Sequence, residues 1–108
     1  MERSTDVRKY PRHQIPVPVD APAFGKGPLE AMDISAGGIF LMVRGLPAPP
    51  KRGEELEVSF QVAGTLFPRC RARVAWTQQN RPGTWGVGLE VQMPEEERKR
   101  LAGKLEEL

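Results

Sequence analysis

Two short stretches of this chain hold the residues best suited to chemistry. "VRKYPR" at 7–12 sets Arg8 and Arg12 four residues apart, and "AMDISAGGIF" at 31–40 gathers Asp33, Ser35, Gly37 and Gly38 between apolar residues. Arginine carries two parallel N–H donors that match a phosphate or the O6/N7 edge of guanine. A carboxylate such as Asp33 can accept from guanine's N1–H and exocyclic amine, a pair of donors that adenine lacks. An arginine and an aspartate could therefore read opposite sides of one guanine.

Each stretch also has a plain structural reading. Asp33 and Ser35 could bond their own backbone at a turn, with Gly37 or Gly38 supplying the positive φ of a tight hairpin. Arg8 and Arg12 could form a solvated basic arm. The turn reading leaves one feature over. Ile34 separates Asp33 from Ser35 in a strand, so both polar side chains face the same side of the sheet, beside a glycine that would let a ligand approach the backbone.

The elements that must position these residues follow from the period of the apolar positions. Residues 1–14 show no apolar period and carry Pro11, which predicts an extended arm. "IPVPV" at 15–19 suits an edge strand, and "PLEAMDI" at 28–34 with "GIFLMV" at 38–43 reads as a hairpin. The loop "RGLPAPPKRGEE" at 44–55 is dense in Pro and Gly. Beyond it, "LEVSFQV" at 56–62, "TLFPRCRARVAWT" at 65–77 and "RPGTWGVGLEV" at 81–91 alternate at period two, with Trp76 and Trp85 at inward positions.

From Pro94 the period changes. Glu95, Glu96 and Glu97 fall in a first helical turn, where they complement the helix dipole, and Leu101, Leu105 and Leu108 form one apolar stripe. The strands predict an all-β fold, a small antiparallel barrel or sandwich, followed by a C-terminal α-helix over 94–108.

At 108 residues and 12.0 kDa the chain reads as a single domain spanning 1–108, with a barrel over 15–92. Charged residues at 28% and hydrophobic residues at 39% fit a folded soluble protein. The net charge of +2 is too small for a sequence-independent grip on a long polyanion, so no DNA or RNA partner is expected. No apolar run is long enough to span a bilayer, which predicts no membrane insertion and a cytoplasmic location. Cys70 and His13 are the sole residues of their types. They provide no metal set, and Cys70 lies within an apparent strand, which argues against a nucleophile pair. The sequence shows no paired acids in a cleft and no Gly-rich phosphate loop, so it predicts no enzyme and no cofactor.

The R-x-x-x-R at Arg8 and Arg12, followed by D-x-S-x-x-G at Asp33, Ser35 and Gly38, resembles the PilZ domain. "RVAW", "WGVGLEV" and the terminal helix extend the resemblance over nearly the whole chain. Members of that family bind the bacterial second messenger cyclic di-GMP. The resemblance implies a six-stranded antiparallel β-barrel and an arm that orders over the nucleotide. Arg8 and Arg12 would then grip guanine edges and phosphate, Asp33 and Ser35 would bond guanine or the sugar-phosphate edge, and Gly38 would permit close approach. Lys9, His13, Gly37, Arg71 and Arg81 are further candidates for contact, and Val7 before the first arginine favours one bound ligand molecule over a stacked pair. The expected role is a receptor that signals to a protein partner. A PilZ-like interaction module without nucleotide is the main alternative, and a weak nucleic-acid-binding barrel is a third.

Overall fold

The computed structural model describes residues 12–25, 28–46 and 48–108. Six strands, β1 (Val17–Asp20), β2 (Pro28–Ile34), β3 (Gly38–Arg44), β4 (Glu55–Val62), β5 (Thr65–Arg81) and β6 (Thr84–Gln92), precede one helix, α1 (Glu95–Glu106). All pairings are antiparallel, and the strands close a barrel in the order β1-β2-β3-β6-β5-β4. Closure leaves no free sheet edge around the wall.

The period-two positions of the sequence fill the interior. Val19, Leu41, Val43, Val58, Phe67, Val74, Val87 and Val91 are buried in one cluster. Each such side chain contributes about 1.5–3 kcal/mol by leaving water. Leu101 and Leu105 bring α1 into the same cluster, while Leu108 lies beyond the helix end and is exposed, so the apolar stripe is one residue shorter than its spacing predicts. The β4–β5 hairpin turns at Ala63 and Gly64, both at positive φ, the geometry a two-residue hairpin requires.

Trp76 departs from the sequence expectation. Period two places it inside with Val74, but the β5–β6 register shifts between Val74 and Trp76, so Ala75 is the extra residue of a bulge. The shift turns the indole to the outer face, where it is 44% exposed. Trp85 stays partly buried against the core. A second bulge, between Ala31 and Asp33 in β2, explains why the apolar spacing there runs from Ala31 to Ile34 rather than in steps of two.

Candidate functional site

The site begins at the β2–β3 turn. Ser35 and Gly38 bond each other through their backbones, Ser35 N–H to Gly38 O at 2.9 Å and Gly38 N–H to Ser35 O at 3.4 Å. The Ser35 hydroxyl accepts from the N–H groups of both Gly37 and Gly38, each at 3.2 Å. Neither glycine has positive φ, contrary to the sequence expectation, because hydrogen bonds from their N–H groups to the Ser35 hydroxyl hold the reversal. Both Ser35 lone pairs are thereby engaged. Its O–H remains a donor for an acceptor outside the turn.

Gly38 is needed for a reason internal to the barrel: a Cβ there would come within 2.9 Å of the Leu89 carbonyl on β6. The group that approaches its backbone is the neighbouring strand. At Gly37 a Cβ would find room, with the Arg98 guanidinium 3.7 Å away.

On the other side of β2, His13 pairs with Ile34 through His13 N–H to Ile34 O at 2.8 Å and Ile34 N–H to His13 O at 3.0 Å. This bridge fixes the root of the arm beside the turn. The Arg12 guanidinium in consequence reaches the Asp33 carboxylate at 3.3 Å. The arginine side chain is 46% exposed and the aspartate 14%. Such a pair contributes only about 0.2–1 kcal/mol, so both groups can exchange partners at little cost.

Asp33, Ser35 and Arg12 stand at one side of a groove of about 750 Å³ that crosses β3, β6 and β5 and ends against α1. That volume lies within the range of small-ligand sites, about 300–1,000 Å³. Phe40 and Trp76 stack within it, ring centroids 5.1 Å apart and planes inclined by 30°. The rings lie over the two glycines of "WGVGLEV". A Cβ at Gly86 would come within 2.9 Å of Phe40, and one at Gly88 would overlap the Trp76 indole. Arg73, paired with Glu90, and Arg98 complete the charged lining.

Of the residues singled out from sequence, Arg12, Asp33, Ser35, Gly37 and Gly38 are brought together in this groove. Arg8 and Lys9 lie outside the described residues. His13 lies close by through its backbone, with its Nε2 buried and without a hydrogen-bond partner among the described residues, but does not line the groove. Arg71 faces a separate hollow of about 280 Å³ beside Cys70, and Arg81 is exposed at the end of β5. Among the described residues no cluster could hold a metal ion, and no helix is long and apolar enough to cross a membrane.

The model of the PilZ domain matches residues 6–107. The chain belongs to the PilZ domain family. Its fold is similar to that of the Bacillus subtilis inhibitor of motility MotI/DgrA, with a TM-score of 0.73 and 18% sequence identity. The match covers 95% of this chain and 49% of that protein, so the chain spans about half its length. No curated protein matches the sequence.

Groove residues of this PilZ domain that sequence reasoning missed include Arg73, Trp76 and Arg98. The signal for Trp76 was present in Gly86 and Gly88, since two glycines on one strand leave a flat strip for aromatic rings from the neighbouring strands. Arg73 falls at an outward position of β5 and is distinguished from Arg71 by its neighbours alone. Arg98 carries no local signal, because its place depends on the angle at which α1 leaves β6.

Proposed function

We propose that this PilZ domain is a cyclic di-GMP receptor, a binding module that passes its signal to a protein partner. The observation that carries the reading is the meeting of Arg12 and Asp33, 3.3 Å apart at the rim of an open groove. Separated in sequence, they present the donor and acceptor that guanine's two edges require, and a guanine entering between them replaces a weak ion pair with two sets of charge-assisted hydrogen bonds. Trp76 and Phe40 offer a surface on which a base can stack, and the free O–H of Ser35 suits a phosphate oxygen.

Arg8 completes the R-x-x-x-R motif and would close over the nucleotide with Arg12. Ordering of the arm creates a surface present only with ligand, which is the output. The name of the Bacillus neighbour, an inhibitor of motility, supports an output of this kind, exerted on another component.

Calorimetric titration with cyclic di-GMP tests the proposal, with GMP and cyclic di-AMP as controls. Micromolar or tighter, guanine-selective binding is expected, which requires about −8 kcal/mol. Absence of heat and of any thermal shift would overturn it and favour an interaction module that works without nucleotide.

A further inference from the structure

Charge pairing within the groove is incomplete. Its described lining holds three arginines and two carboxylates. Arg12 is matched by Asp33 and Arg73 by Glu90. Arg98, part-buried in the second turn of α1, has no carboxylate partner among the described residues. Its Nη2 donates to two backbone carbonyls, Val91 O and Met93 O, both at a long 3.4 Å. Its Nη1 is the atom that faces Gly37.

Two carbonyl dipoles hold this guanidinium in place without cancelling its charge. The groove thus has a fixed positive end on the helix, next to the turn where Ser35 retains one unused O–H. A guanidinium and a hydroxyl that converge from two elements form a site for a singly charged tetrahedral oxyanion. An edge of guanine also presents acceptors, but one phosphodiester can accept from both groups through separate oxygens.

Resting on the cyclic di-GMP reading, we infer that Arg98 is a ligand-binding residue supplied by the C-terminal helix, and that it takes a phosphodiester of the nucleotide. Its partners Val91 and Met93 flank the end of β6, so the contact ties occupancy of the groove to the joint between β6 and α1.

The test is titration of cyclic di-GMP into the full chain and its Arg98→Gln and Arg98→Lys variants, with the ligand-free melting midpoint of each. Gln keeps a polar amide on a shorter stem and removes the charge, so the melting midpoint separates lost support of the helix joint from lost binding. The expected result is a Kd raised roughly tenfold or more in Arg98→Gln, partly recovered in Arg98→Lys, and a weaker dependence of Kd on salt in Arg98→Gln than in the unaltered protein. Unchanged affinity and salt dependence in Arg98→Gln, beside normal binding by the unaltered protein, would overturn the inference and leave Arg98 a strut between helix and strand. Failure of the unaltered protein to bind would overturn the receptor reading, and the inference with it.

Discussion

Two hollows on the outer wall of the barrel border β5 and share Gln92 and Met93 in their linings, yet they are built from different material. The larger joins the β2–β3 turn, a stacked pair of rings and three arginines. The smaller holds Arg69, Arg71, Cys70 and Glu97, with Phe67 and Pro68. Arginine is plentiful in both. What separates them is the company it keeps: in the large groove the cations meet fixed donors and a flat apolar surface, whereas in the small one they surround a thiol that donates weakly to Phe67 O at 3.6 Å. On the receptor reading, preorganised neighbours rather than cation content set the large groove apart.

Loss of an arm arginine should weaken binding most. Arg12→Ala is expected to weaken cyclic di-GMP binding by at least about 100-fold, more than a single charge-assisted contact gives, because Asp33 then loses its orienting partner as well. The ligand-free melting midpoint should hardly move, since an exposed pair contributes about 0.2–1 kcal/mol. The same result is expected for Arg8→Ala. Strong destabilisation in either variant would make the arm structural.

A smaller effect is expected at the aromatic surface. Trp76→Ala should raise the Kd about tenfold, in line with roughly 1–3 kcal/mol per stacked base. A melting midpoint that falls sharply while the Kd stays constant would assign the indole to packing on β6.

The smaller hollow carries a titratable thiol at Cys70. Burial, and then the nearby Glu97 carboxylate, push its thiol pKa up from the ordinary value. Folding therefore favours the protonated thiol, and stability should decline as pH rises past the ordinary thiol value. Alkylation at neutral pH should be several-fold slower than for an unfolded control and indifferent to cyclic di-GMP. Protection by ligand would extend the site into the small hollow. Arg71→Ala gives the smallest effect: its Kd should stay within about twofold of the unaltered protein by calorimetry, because the side chain lines the smaller hollow and not the groove.

Much of this architecture was legible in the sequence because the barrel interior obeys period two. Val58, Phe60 and Val62 on β4, or Val87, Leu89 and Val91 on β6, lie inside where alternation puts them. Asp33 and Ser35 were rightly placed on one face, since Ile34 between them is buried and both line the groove. The errors gather where the register slips. One inserted residue, Ala75, turns Trp76 from core to surface, and alternation alone cannot show an insertion whose partner strand is unknown. The crowding at Gly38 escapes alternation for a related reason: it comes from Leu89, a residue far away in sequence.

The barrel is not closed with equal strength all round. Between β1 and β4 the register holds for two pairs, Val19 with Phe60 and Asp20 with Ser59, whereas β5 and β6 pair along most of their length. Proline interrupts β1 at Pro18, which removes a donor from a strand of four residues. The β1–β4 seam is therefore the line expected to open first, and its amides should exchange with solvent ahead of those on the β3–β6–β5 wall. The groove floor belongs to that wall, and the root of the arm at His13 is bonded to Ile34 of β2. Opening of the seam should therefore leave the groove floor in place.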